Sequence, residues 1–330
     1  MTRVAQSQQT VALRRAAVRA TRAPSVHNTQ PWRFVLSAGS LEIHADRSRW
    51  LRVLDPRGRQ LTLSCGCALF NARASLAASG FGADVERFPD PARPDVMARI
   101  LVSDHIANDE RSLADLDAVI DERHTNRRRF FDDVVPEDVI EALVDAANQE
   151  GAEAFPIKRQ EHRLAAARLS QLADQIENSD PAYRAELRAW TTDDPRRPDG
   201  VPASAVPHVD AGSGDDLPIR DFDTHGMGWL PTETHSSLNQ CLLLLGALDE
   251  SPMAWLRTGE ALERVLLEIA RRGYAASPLT QVVEVARTNE ALRLDLRLVM
   301  HPHVLLRVGR APAAAATRRQ RLVDVLTEEA

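Results

Sequence analysis

The stretch GCALFNARASLAASGF, residues 66 to 81, has a counterpart in GEALERVLLEIARRGY, residues 259 to 274, and the pair decides how the chain is organised. Glycine closes the same span in both copies (Gly66 and Gly80, Gly259 and Gly273). Between them Ala68 lies over Ala261, Leu69 over Leu262, Ala77 over Ala270, and Phe81 follows as Tyr274 does. Each copy reads as a helix ended by a glycine that can take a positive φ at the C-terminal cap. The step from Gly66 to Gly259 is an offset of 193 residues, and VLD at 53 to 55 and ALD at 247 to 249 precede the two helices at about the same spacing.

Upstream, AVRATRAPS (17 to 25) sets weakly against ALVDAANQEGA (142 to 152), at an offset near 126. The second half therefore carries about 67 extra residues, between about 158 and 240. That window is rich in Pro, Asp, Gly and Ser and reads as a short helix followed by a long irregular excursion. Its Tyr183, Trp190, Phe222 and Trp229 favour a functional lid over a disordered segment, which would be poor in aromatics.

Each half reads as helix, strand pair, helix, strands. WRFVLSAGSLEIHA is a hairpin turning at Ala38 and Gly39. LADLDAVIDER, 113 to 123, is a helix; VPEDVIEALVDAANQEGA puts Val139, Ile140, Leu143, Val144 and Ala147 on one helical face, with Pro136 in the first turn. HVLLRVG, 303 to 309, is a buried strand. Helices mixed with mainly non-parallel strands give the class α+β.

Composition narrows the function. With 44% hydrophobic and 27% charged residues over 330 positions, the chain folds as one large or two mid-sized domains. A net charge of −6 argues against a nucleic-acid binder, although all but one of the 41 basic residues are arginine. Cys65, Cys67 and Cys241 form no usual disulfide or zinc spacing and fit a reducing compartment. CLLLLGAL, 241 to 248, is too short to span a membrane, and the arginines of VALRRAAVRA exclude a signal peptide, so the expected location is the cytoplasm.

The Rossmann glycine fingerprint, the P-loop, the zincin helix and the nucleophile elbow are all absent. Two clusters remain. PSVHNTQPW, 24 to 32, crowds amides, hydroxyls and prolines ahead of a strand, more than a plain turn requires. RHTNR, 123 to 127, alternates Arg123, Thr125 and Arg127, which in an extended segment would point to one side and converge on a dianion such as a phosphate. The bland alternative for the arginines is a solvated helix C-terminus. His301 and His303, with His225 or His235, complete no familiar metal spacing, and no metal is expected.

PSVHNTQPW and RHTNR resemble two elements of the nitroreductase superfamily, flavoproteins that hold FMN at a dimer interface: the P-S-x-x-N-x-Q-P-W loop and the R-R-S-x-R phosphate element. Their order is reversed along this chain, as a fused dimer would give. Together with LTLSCGCALFNARASLAASGF and PMAWLRTGEAL they resemble the Acg-like branch of that superfamily. The resemblance implies two fused lobes forming an intramolecular pseudo-dimer, 1–115 and 116–330, with the lid-like insertion in the second lobe and one FMN between them. It implies that Pro24, Ser25, Val26, Asn28 and Gln30 contact the flavin; that Arg123, His124, Thr125 and Arg127, with Arg318 or Arg319, hold the phosphate; and that Ala276, Ser277 and Pro278 face the flavin ring. The opposite interface should be vacant, since NQEGAEAFP has lost the loop pattern.

The implied activity is two-electron transfer from NADH or NADPH, by way of FMN, to a nitroaromatic or quinone-type acceptor. No side chain is named as catalytic, and a monomer is expected. The alternatives are a flavin-sequestering protein whose closed lid prevents turnover and a metal-dependent hydrolase using the second-half histidines.

Overall fold

Two mainly antiparallel sheets that share a four-strand order flank a pair of packed helices in the computed structural model, which describes residues 3–107, 111–127, 130–192, 194, 196–202, 220, 239–314 and 316–329. Phe222, Trp229, His225 and His235 lie outside the described residues. The first half begins with α1 (Arg3–Ala20), then β1 (Trp32–Ser37) and β2 (Ser40–Ala45), a hairpin whose Gly39 has φ +79. It continues with α2 (Arg59–Ala78), β3 (Gly82–Arg87) and β4 (Val96–Ser103). The second half runs α4 (Glu137–Gln149), β5 (Glu153–Pro156), β6 (Cys241–Ala247), α7 (Pro252–Arg271), β7 (Ala275–Pro278) and β8 (His301–Gly309).

The sheets read β3-β4-β2-β1 and, from the corresponding edge, β7-β8-β6-β5. Numbered within its half, each is third, fourth, second, first. The inner pairs β2/β4 and β6/β8 each carry a register shift, at Ile43/His44 and at Leu245/Gly246. Helices α2 and α7 are both 20 residues long and start 193 positions apart, the offset seen in the sequence. Gly80 and Gly273 follow them with φ +85 and +73. The class is α+β, as expected.

Helices α2 and α7 touch backbone to backbone. A Cβ built on Gly66 would lie 2.2 Å from the Leu256 carbonyl oxygen, and one on Gly259 would lie 2.1 Å from that of Leu63. Only glycine at both positions permits this approach. Around the crossing, Leu63, Ala68, Leu69, Ala261, Leu262 and Val265 join α1 and both sheets in one continuous core.

Three elements depart from the reading above. The helix expected over 113–123 stops as α3 (Leu113–Asp117), and turns follow in which Ile120 and Glu122 donate to carbonyls three residues back. Arg19 Nη2 donates to the Asp117 carbonyl oxygen, the acceptor that continued helix would give to residue 121. The excursion after 158 opens with two helices instead of one, α5 (Gln160–Ser179) and α6 (Pro181–Ala189), separated by Asp180, which caps α6. Between β7 and β8 the chain adds α8 (Gln281–Glu284) and α9 (Ala286–Asp295). The chain then closes with α10 (Leu322–Val325) and β9 (Leu326–Glu328), the latter pairing parallel to β1 at the edge of the first sheet.

Candidate functional site

The loop between α1 and β1 is strained. His27, Asn28 and Gln30 all hold left-handed φ values, 51, 54 and 50, a conformation that costs on the order of 1–3 kcal/mol per residue. Local bonds hold it: Asn28 N–H donates to the Ser25 carbonyl at 2.9 Å, and Gln30 N–H to Ser25 Oγ at 2.9 Å. Remote segments hold it too. Asn28 Nδ2 donates to the Gly200 and Arg318 carbonyls, both at 3.1 Å, and Gln30 Nε2 to that of Pro198 at 2.9 Å. Gln30 Oε1 accepts from Gln320 N–H at 2.8 Å. Asn28 and Gln30 therefore clamp the insertion and the C-terminal segment to the loop; they do not line the cavity described next.

The outcome of that folding is to turn Pro24, Ser25, Val26 and His27 toward a cavity that is partly open to solvent. Its apolar walls come from Leu63 and Cys67 on α2, Leu262 on α7, Leu279, and Val304 on β8. Gln60, Ser64, Thr125, Arg127, Arg220, Thr280 and Gln281 supply the polar atoms, and Pro278 completes the rim. The first and second halves of the chain thus share it.

Thr125 and Arg127 arrive because the chain pairs with the edge of β7: Thr125 bridges Ala276, and Asn126 N–H donates to the Ala276 carbonyl at 2.9 Å. Period two then holds. Thr125 and Arg127 face the cavity, while His124 and Asn126 line a separate hollow with Ala276. The expected convergence of Arg123 with them does not occur. Arg123 is still inside the preceding turn, its N–H bonded to the Val119 carbonyl, so it is out of phase with the extended residues and lines the second hollow.

Arg123 meets Arg319 instead. Arg123 Nη2 and Arg319 Nη2 both donate to the Arg22 carbonyl, at 3.1 and 3.2 Å. Arg319 Nη1 also donates to Asn28 Oδ1 at 3.0 Å and to Thr317 Oγ1 at 2.6 Å. The Nε atoms of both are buried and make no hydrogen bond. Glu263, fully buried on α7, lies 3.4 Å from Arg123 Nε. Burial pushes the Arg319 guanidinium down to about 9, with Arg123 adding to the shift, and burial raises the Glu263 carboxyl against the pull of Arg123. Arg318 is exposed and contributes its carbonyl. Of the β7 residues, Pro278 lines the cavity, Ala276 lines the second hollow, and Ser277 is buried with an Oγ that makes no hydrogen bond.

A buried polar cluster that sequence reasoning missed backs the cavity. Arg220, from the insertion, donates to His27 Nε2 and to Glu284 and stacks over Tyr183 at 5.9 Å. Gln281 Nε2 donates to Asp174 Oδ1 and Glu177 Oε2, both at 2.9 Å. Burial, then Arg220 and Arg127, drive the His27 pKa well below its usual value, so the ring is neutral and accepts from Arg220. Burial lifts the Glu177 carboxyl to about 8, with Glu284 adding to the rise and Arg220 opposing it.

The place related to this cavity by the 193-residue offset is filled differently. Glu260 stands where Cys67 stands in the other copy, and it accepts from Arg87 Nε at 2.7 Å and Arg73 Nη1 at 2.8 Å. Arg73 and Arg264 in turn each donate to Glu150 at 2.6 Å. Two buried carboxylates and three guanidiniums occupy that interface.

His303 is buried between Thr258 Oγ1 at 3.2 Å and Glu250 at 3.3 Å, and His301 lies at 4.0 Å from the same carboxylate. Among the described residues no three His, Cys, Asp or Glu side chains group as a metal site, and no helix is long and apolar enough to cross a membrane. Cys65, Cys67 and Cys241 are free and buried, and burial raises all three thiols, Cys65 to about 12 and Cys241 to about 11.

No family model matches the chain. Three proteins of Mycobacterium tuberculosis are similar to it along most of its length. An uncharacterized protein is 33% identical over 328 residues, spanning 95% of this chain and 92% of its own. A "putative NAD(P)H nitroreductase" is 35% identical over 297 residues (90% and 84%), and the "putative NAD(P)H nitroreductase acg" is 31% identical over 297 residues (89% and 87%). Among solved structures, the FMN-dependent nitroreductase NfnB of Mycobacterium smegmatis in complex with NADPH overlaps 64% of this chain and 97% of its own at 16% identity and a TM-score of 0.39. A nitroreductase with bound FMN from Bacteroides fragilis overlaps 62% and 93% at 10% identity and a TM-score of 0.37.

Proposed function

Because the chain belongs to the nitroreductase superfamily, in its Acg-like branch, we propose that it is an FMN-binding oxidoreductase drawing on NADH or NADPH to reduce a nitroaromatic or quinone-type acceptor. One FMN per chain would sit in the cavity shared by the lobes 1–115 and 116–330. The observation that carries this reading is the cavity's composition: Pro24, Ser25 and Val26 of the first half face Thr125, Arg127 and Pro278 of the second across one space.

The donor set fits FMN. Apolar walls at Leu63, Leu262 and Val304 suit a planar ring, and Ser25, Ser64, Thr125 and Thr280 offer hydroxyls for its polar edges and side chain. A phosphate needs charge-assisted donors; Arg319 carries a buried Nε–H that makes no hydrogen bond within the protein, and Arg123 Nε has the Glu263 carboxylate at 3.4 Å as its ion-pair partner. We assign Thr125 and Arg127, which line the cavity, to the ring end, and the phosphate to Arg319 with Arg123 and His124, the latter two bordering the hollow on the other side of the 123–127 segment, so that one FMN would have to reach past that segment to engage both. When bound, FMN supplies two-electron transfer between nicotinamide and acceptor. The chain orients it, excludes water along the apolar walls, and presents positive charge through Arg127. The ion pairs of Glu260 and Glu150 argue for a single flavin, since they fill the interface where a second would lie.

A monomer follows from one chain supplying both walls, and the three free cysteines suit a reducing cytoplasm. The experiment is anaerobic addition of NADPH to yellow, purified protein: bleaching of the flavin band within seconds supports turnover. A second reading, flavin sequestration, is favoured by Arg220 and Tyr183 of the insertion closing against the loop at His27 and Val26. It predicts bound FMN that NADPH does not bleach.

A further inference from the structure

Arg220 is the contact that links the insertion to the cavity wall. The residue is 8% exposed, and its two Nη atoms are committed to residues far apart in sequence, His27 on the strained loop and Glu284 on α8. The Tyr183 ring of α6 lies under it. Three independent elements thus fix where this cation stands, and it stands in the lining of the cavity beside Arg127.

The charge pattern there is one-sided. Among the described residues two guanidiniums and no acidic side chain line the cavity, and His27, whose pKa both of them lower, is neutral. Arg220 is the second-largest cause, after burial, of the lowered Arg127 pKa, whereas the Arg220 cation is itself held, against burial, by Glu284, Tyr183 and Glu177. Glu284 compensates Arg220 from behind, outside the lining, and leaves its inner face toward the cavity.

We propose that Arg220 sets the electron affinity of the bound FMN, its positive charge stabilising the negative charge that the flavin ring gains on reduction. This rests on the FMN reading and adds to it a residue from the insertion. Two electrons and one proton convert neutral oxidised flavin to an anionic reduced ring, with the nicotinamide as the electron source; Arg220 neither gives nor takes a proton. A cation placed before the reaction favours the charged product over the neutral reactant without reorganising. The cavity that Arg220 lines has apolar walls at Leu63, Leu262 and Val304, which suit the ring and not the phosphate.

The test is the two-electron midpoint potential of FMN, with the dissociation constants of oxidised FMN and of riboflavin, in purified wild type, Arg220→Gln and Arg220→Lys. Arg220→Gln should weaken binding of reduced relative to oxidised flavin about tenfold, a fall of about 30 mV, while binding of oxidised FMN changes less than about threefold. Arg220→Lys should restore most of the potential, which a staple dependent on the guanidinium fork alone would not do. An unchanged potential in a folded, FMN-loaded Arg220→Gln overturns the proposal. So does a loss of FMN affinity with riboflavin affinity intact, which would put the phosphate there. Wild-type protein that takes up neither flavin overturns the FMN reading itself, and the proposal with it.

Discussion

Gly66 and Gly259 meet where α2 and α7 pack, each so placed that a Cβ on it would lie 2.9 Å from the other's Cα. They are also the two residues that the internal sequence match sets over each other. A contact between corresponding residues of two copies is what a two-fold axis produces, and here the axis would pass between two halves of one chain.

Gly66→Ala should therefore be more damaging than an alanine in a helix normally is. Alanine favours helix over glycine by about 1 kcal/mol, but here its methyl meets the Leu256 carbonyl. The expected result is a net loss of at least about 2 kcal/mol, measured by urea denaturation, with Gly80→Ala as a comparison that meets no neighbouring atom but must adopt φ +85.

The C-terminal arginines should separate. Arg319→Ala removes a buried guanidinium beside Arg123 and should weaken FMN binding by on the order of 10–100-fold, whereas Arg318→Ala, at an exposed side chain, should leave it unchanged. Fluorescence titration of apoprotein measures both. Because Arg123→Ala alone would strand the buried Glu263, the informative version is Arg123→Ala with Glu263→Gln.

Removing Glu260 should cost stability without altering flavin content. Glu260→Ala leaves Arg73 and Arg87 short of a buried partner, a loss of about 3–5 kcal/mol, while the cavity walls on the other side of the α2–α7 pair are untouched. The ratio of FMN to protein after purification should stay the same as in wild type.

Glu177 predicts the direction of a pH effect. Its carboxyl titrates near 4.5 when unfolded and near about 8 in the fold, so between those values the folded chain binds more protons. Stability then falls as pH rises across that window, and it is greatest below it. Glu177→Gln, which mimics the protonated acid and keeps a group beside Gln281, should flatten that slope. Melting curves from pH 5 to pH 8 test this: the variant should gain on wild type as pH rises.

What the sequence revealed was what is local or periodic. The glycine spacing showed both helices because a close crossing and a left-handed cap each demand glycine, and the hairpin showed itself in Ala38–Gly39 between alternating strands. The turn chemistry of residues 24 to 30 marked the loop that borders the cavity. Its residues divide their labour, however, in a way only tertiary structure decides. Asn28 and Gln30 are spent on Gly200, Pro198 and Gln320, between 168 and 290 positions away. Arg123 fell out of phase because the turn before it persists one residue longer than an extended reading assumes. Arg220, Glu177 and Glu260 carry no sequence signal, since a buried charge is recognisable only by partners that the fold brings to it.

The most direct test of the account is a crystal structure of the chain grown with saturating FMN. One flavin per chain is predicted, its ring between Val26 and Pro278 and within reach of Arg127, and its phosphate on Arg123 and Arg319, with the Glu260 ion pairs intact. A cavity closed by side chains under saturating ligand, a flavin beside Glu260, or a flavin shared between two chains would contradict it.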